Sequence, residues 1–269
     1  MQHRVLVYAD ALDVAAEGAV WYARKVGGGR FDALHVAGKN TDSGIHARWF
    51  EFTGGEPRLD VRPAGTDAQQ AVLSEIARLH GTGDDVVVTV VLPEQFSKRS
   101  LFAAAQRAQF RLKLRLLTEP RVVVADVPAV TSERRPEGRV PERLVVRVIA
   151  GEVDDATLRA IDYARGIGAD DLRAVHFGER SWTDDDLGLP ADDAPLDGRL
   201  GDSILAYVRR LTADESAAVN VVLPERLQAN LPRLRSRRAI NVKRCLLFEP
   251  HVILTSVPTP AGPHQPSET

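Results

Sequence analysis

The sequence predicts an α/β protein built as two tandem doubly wound parallel-sheet domains that pair as a pseudo-dimer. Three observations carry this. First, the chain repeats itself: Leu92-Pro93-Glu94, a basic helix, Glu119-Pro120, Val122-Val123-Val124 and Val127-Pro128 return as Leu223-Pro224-Glu225, a basic helix, Glu249-Pro250, Val252-Ile253-Leu254 and Val257-Pro258. Second, Tyr22-Ala23-Arg24 with Leu34-His35-Val36 matches Tyr163-Ala164-Arg165 with Val175-His176-Phe177 upstream of that block. A repeat of this length is a whole fold, so the two copies form a pseudo-symmetric pair rather than a solenoid. Third, short apolar runs alternate with amphipathic stretches of helical period, the pattern of parallel strands covered on both faces. The expected boundaries are domain 1 at 1–130, a linker at 131–142, domain 2 at 143–258 and a disordered tail at 259–269.

In the first copy, Arg4 to Ala9 reads as a buried strand, and Asp13 caps a helix that Gly27 to Gly29 stop near Val26. Strands at Asp32 to Ala37 and Arg58 to Arg62 flank a weak helical stretch at Ile45 to Phe52. Thr66 or Asp67 caps a helix whose Ala68, Val72, Ile76 and Leu79 share one face. Val86 to Leu92 is the strongest strand, followed by a long helix from Lys98 to Leu117 and a strand at Arg121 to Asp126.

The second copy repeats this with strands at Leu144 to Ile149, Leu172 to Phe177, Val219 to Leu223 and His251 to Ser256. Its helices are expected at Asp155 to Ile167, Leu200 to Leu211 and Leu231 to Phe248. Thr183 to Gly198, rich in Asp, Pro and Gly, predicts an irregular loop in place of a third strand. The flavodoxin-like strand order 2-1-3-4-5 or a relative is expected, with a ligand at the turns after the first and fourth strands. The two last strands, facing each other, would cover two otherwise open edges.

Composition is that of an ordinary folded protein: 269 residues, 44% hydrophobic, 27% charged, with a formal charge of -2. Apolar runs fall far short of the roughly twenty residues that cross a bilayer. Met1-Gln2-His3-Arg4 leads straight into an apolar strand without the pattern of a secretory leader, so a cytoplasmic location is expected. The single cysteine, Cys245, is read as a structural thiol. Thirty arginines against five lysines point to the coding bias of a high-GC bacterium.

Each half resembles the universal stress protein fold, through Val5 to Asp10, Leu34-His35-Val36 and Val122-Val123-Val124. A closer resemblance is to the universal-stress-like cytoplasmic C-terminal domain of APC-superfamily amino-acid permeases. It rests on Val90-Val91-Leu92-Pro93-Glu94, Val221-Val222-Leu223-Pro224-Glu225, Leu246-Leu247-Phe248-Glu249-Pro250 and Val252 to Pro258. The resemblance implies a regulatory or accessory module and names no substrate. ATP-binding universal stress proteins place a Gly-x-x-Gly segment after the fourth strand, whose amides cradle phosphates. Pro93 to Glu119 and Pro224 to Glu249 contain no glycine. The His-Asn-Gln segment of the permease-type helix is also replaced, by Ala105-Gln106-Arg107 and Arg235-Ser236-Arg237.

The candidate site residues fall into two groups. Asp10, Glu94 and Glu225 end strands at the expected ligand edge and are candidates for ligand binding. The two glutamates are also read as turn or helix-start residues, where a negative charge is stabilised. Arg107, Arg111 and Arg115 line one helix face, and Arg237 and Lys243 lie on the equivalent helix. They are candidates for an anion, an acidic partner or lipid headgroups, set against a solvated face paired with nearby carboxylates. Lys113 and Lys243, at equivalent positions, are read as structural ion pairs, and His35 and His176 as satisfied core histidines. No metal site, cofactor motif or nucleic-acid signature is present, and no nucleophile-base arrangement can be drawn. The resulting expectation is a non-enzymatic cytosolic regulatory or stress-response protein, acting as a ligand sensor or with a membrane transporter or other protein partner. The alternatives are an ATP- or AMP-type nucleotide-binding stress protein and, behind it, an enzyme built on Glu94 or Glu225.

Overall fold

In a computed structural model of the chain, the described residues are 2–38, 44–83, 85–94, 104–128 (side chains from 108), 141–213, 216–226, 242–243, 245–246 and 249–259. The first half runs β1 (Gln2–Tyr8), α1 (Val14–Val26), β2 (Asp32–Val36), α2 (Ile45–Thr53), β3 (Leu59–Arg62), α3 (Ala68–His80), β4 (Val86–Glu94), α4 (Ala104–Leu116) and β5 (Val122–Pro128). The second runs β6 (Arg143–Ile149), α5 (Asp155–Gly166), β7 (Asp171–Phe177), α6 (Asp184–Leu187), β8 (Ala191–Ala194), α7 (Leu200–Leu211), β9 (Ala217–Arg226) and β10 (Val252–Thr259). Residues 242–243 and 245–246 are helical, within the helix expected at 231–248. The expected linker lies outside the described residues except Pro141 and Glu142, and the expected tail lies outside them beyond Thr259, which still belongs to β10.

Local chemistry sets the helix starts. The Asp13 carboxylate accepts from the amides of Ala15 at 2.8 Å and Ala16 at 3.1 Å, and Asp154 accepts from Thr157 at 2.7 Å, filling donors that a helix N-terminus leaves open. Asp67 does the same for Gln70. At the end of α1 the chain turns so tightly that a Cβ on Gly27 would sit 2.2 Å from the Arg30 carbonyl oxygen, which leaves room only for glycine.

All ten strands join one sheet in the order β3-β2-β1-β4-β5-β10-β9-β6-β7-β8. Each half therefore has the order 3-2-1-4-5, a relative of the flavodoxin-like 2-1-3-4-5 rather than that order itself. Strands pair in parallel within each half. The halves meet where β5 and β10 run antiparallel, with Ala125 opposite Thr255 and Asp126 opposite Leu254. Ala125 and Thr255 correspond in the sequence repeat, so a local two-fold passes through that pair.

The second half has a third strand after all. α6 and β8 occupy the stretch expected to be an irregular loop. Ala191-Asp192-Asp193-Ala194 has no apolar signature because its charges are matched by neighbouring elements. Asp192 takes Arg173 at 3.2 Å and the Tyr207 hydroxyl at 2.5 Å, and Asp193 takes Arg180 at 3.1 Å. An edge strand can be this polar, since charge there also discourages pairing with another chain.

The two faces of the sheet are packed differently. One face carries a single core shared by both halves, from α1 and α2 through α5 and α6. The other carries two separate cores, one under α3 and α4 and one under α7 and the helical residues Val242 and Leu246. On the shared face Tyr22 and Tyr163 reach across the two-fold. Asn220 donates to the Tyr22 hydroxyl at 2.8 Å, Thr255 donates to Asn220 Oδ1 at 2.8 Å, and Tyr22 and Thr255 hydroxyls lie 3.3 Å apart. The Tyr163 hydroxyl lies 3.2 Å from that of Thr89 in the other half. All five side chains are buried, so each polar atom depends on the others for its hydrogen bonds. Replacing Tyr22 by Phe leaves the Asn220 amide without this acceptor and is expected to cost about 1–3 kcal/mol in urea denaturation.

Candidate functional site

Doubly wound sheets bind ligands beyond the carboxyl ends of their strands, in the crevice where the strand order reverses. In the second half that crevice lies between β6 and β9, and a cavity of about 330 Å³ opens there. Ile149, Leu200, Leu223 and Val242 give it apolar walls. Gly151, Glu152, Asp154 and Thr157 border it at the start of α5, and Pro224 and Arg226 border it at the end of β9. This is the place the sequence indicated, after the first and fourth strands.

The electrostatics at the mouth are set by Asp154 and Arg226. Arg226 donates to Asp154 Oδ2 at 2.6 Å, while Oδ1 caps α5. Partial burial alone would raise the Asp154 carboxyl, but the Thr157 amide and the Arg226 guanidinium outweigh it and hold it below the usual carboxylate range. The positive end of α5 is thus already neutralised by a protein carboxylate, and Glu152 adds a second, exposed one. Such a mouth is poorly suited to a polyphosphate, in keeping with the missing glycines. Neither Asp154 nor Arg226 was singled out from sequence. The signals were present as a cap position before a predicted helix and as the residue following Leu-Pro-Glu.

In the first half Asp10 stands where the second half has Gly151. It lies just beyond β1, and crowding of its carboxyl by the surrounding protein, with a smaller contribution from Asp13, raises it. Burial, with Asp10 and Asp67 nearby, pushes the Tyr8 hydroxyl up to about 12.

Glu94 and Glu225 are both buried at 3% exposure and are held by lysines from the covering helices. Lys113 ion-pairs with Glu94 and lies 3.1 Å from Asp126; Lys243 ion-pairs with Glu225 and donates to Ser256 at 2.5 Å. Asp126 and Ser256 occupy corresponding positions on β5 and β10. The two clusters are therefore one design with different charge, two carboxylates per lysine in the first half and one in the second. Lys243, expected on an anion- or partner-binding face, is accordingly turned to Glu225 as a half-buried ion-pair partner.

Among the arginines, Arg111 is exposed, and Arg115 is exposed and pairs with Glu119. The side chain of Arg107 and the whole of Arg237 lie outside the described residues. His35 Nδ1 lies 2.8 Å from the Ala9 carbonyl and His176 Nδ1 lies 2.9 Å from that of Ala150, so each histidine bonds to the end of the neighbouring first strand. Among the described residues no cluster of three metal-ligating side chains forms, and no helix is long and apolar enough to cross a membrane.

Two outcomes follow from these contacts. Lys113→Met leaves two buried carboxylates uncompensated and is expected to destabilise by about 3–5 kcal/mol in chemical denaturation, with a smaller loss for Lys243→Met, which leaves one. Because the native Asp154 carboxyl is depressed, its contribution is fully present above the unfolded value of about 3.9 and fades as pH falls through the lower native value. Stability measured across that acid range should fall less steeply in Asp154→Asn than in the parent.

None of the curated proteins matches the chain. The family described as the KimA potassium transporter C-terminal domain matches residues 1–129 and 141–259. That match takes in every strand and helix of both halves, and the chain belongs to this family.

Proposed function

We propose that the chain is a non-catalytic regulatory module that works on or within a membrane transporter. The observation that carries this is the match to a transporter C-terminal domain over both halves. The expected resemblance was to amino-acid permeases, whereas the matched family is described by a potassium transporter, so potassium flux is the activity to examine. We read the two halves as universal-stress-like units: strand order 3-2-1-4-5 and the paired Leu-Pro-Glu strand ends support that reading. The strand-end glutamates, held by Lys113 and Lys243, serve in this view to fasten the covering helices to the sheet. A cytoplasmic location follows from the same reading.

A nucleotide-binding stress protein is the second reading, favoured by the cavity at the β6/β9 crevice. Mass spectrometry of molecules released from the freshly purified protein, with thermal shifts against ATP, AMP and cyclic dinucleotides, separates the two. For the transporter reading, the tagged chain should retain a potassium transporter from detergent-solubilised membranes, and deleting the chain should change potassium uptake. Unchanged uptake and no captured transporter would count against it.

A further inference from the structure

On the split face of the sheet, the α3 and α4 pair has an unusual charge distribution. α4 spans 13 residues with three arginines, one lysine and no carboxylate. Lys113 is turned inward to Glu94 and Asp126. Leu112 and Leu116 face the core, so the outward side carries Phe110, Arg111, half-buried Leu114 and Arg115. Phe110 and Leu114 are four residues apart, as are Arg111 and Arg115, so an apolar strip runs beside a basic one along the helix. Phe110 is 55% exposed. On the neighbouring α3 the only carboxylate, Glu75, is buried and holds Arg78. Arg115 also pairs with Glu119 just beyond α4. The opposite layer, by contrast, mixes both signs, exposing Glu17, Glu51, Asp155, Asp162, Asp185 and Asp186 beside Arg24, Arg48 and Arg165.

A helix lying flat with an aromatic and aliphatic strip alongside arginines fits a bilayer interface, where the ring enters the headgroup boundary and guanidinium groups meet anionic lipid. A protein surface can also pair an apolar patch with carboxylates; an anionic bilayer offers both along the whole length of the helix, and failure to bind such a bilayer is the outcome that decides against it. We propose that the α3/α4 face is a membrane-docking surface for anionic lipid. In the docked state α4 lies along the bilayer, with Phe110 at the acyl boundary and Arg111 and Arg115 among the headgroups. The carboxylate-bearing α1, α2, α5 and α6 layer then faces away from the negative surface. This goes beyond the transporter reading and stands on exposure and charge alone.

The test is co-sedimentation of the full chain with phosphatidylcholine vesicles, with and without phosphatidylglycerol. The chain should partition onto the anionic vesicles only, and added salt should release it. Arg111→Gln should lower the partition coefficient about fivefold, and Phe110→Ser about tenfold. Both residues are exposed, so circular dichroism and thermal unfolding should stay as in the parent. Phe50→Ser, which alters an equally exposed phenylalanine on α2 in the opposite layer, should leave vesicle binding unchanged. Absence of binding to anionic vesicles, equal binding to both compositions, or equal loss in Phe50→Ser would overturn the proposal. The result is independent of transporter capture, so either reading can fail without the other.

Discussion

The antiparallel seam between β5 and β10 organises the molecule. A five-stranded parallel unit ends in an open edge on its last strand, and two such edges laid against each other complete one another's backbone hydrogen bonds. Hydrogen bonding alone tolerates slippage, because a shift by two residues restores the same ladder. The buried set of Tyr22, Asn220, Thr255, Tyr163 and Thr89 removes that freedom. Its partners lie on different halves, and a shifted register would leave several buried polar groups unpaired. The continuous core on that face follows from the same seam, since α1 and α5 must lie close to the two-fold for their tyrosines to cross it.

On the other face the halves are more independent, and there they differ. The lysines that tether the covering helices are retained in both, yet Asp126 is matched by Ser256, so the charge beneath the helices differs by one carboxylate. The difference is equally plain at the strand ends. Tyr8 and Asp10 close β1 where Ile149 and Gly151 border an open cavity after β6. A scaffold that keeps its fasteners while changing the chemistry at each crevice can assign different tasks to its halves.

The two layers of helices also differ toward solvent. On the split face α3 and α4 keep their one carboxylate buried while α7 exposes Asp202, whereas the layer on the shared core exposes several. A chain with a net charge of only -2 can still present a polarised surface, because the balance is reached across the molecule and not within each face.

The sequence by itself determined the element order apart from α6 and β8, the pairing of two similar halves through their last strands, the cap at Asp13 and one at Thr66 or Asp67, and the position of the crevice. Each of these depends on local pattern, on turn and cap chemistry, or on comparing one half with the other. Tertiary structure decided the rest. Strand order 3-2-1-4-5 depends on which crossover packs best over the sheet, and no local period records that. β8 carries no apolar signal because Asp192 and Asp193 find partners in Arg173 of β7, the Tyr207 hydroxyl of α7 and Arg180 of the β7–α6 loop. Glu94 and Glu225 looked like ligand-edge carboxylates because sequence places a residue at a strand end without saying which side of the sheet it faces. Only the packed helices bring Lys113 and Lys243 to them, across 18 to 19 residues of chain, because a low-dielectric interior requires each buried charge to find its partner.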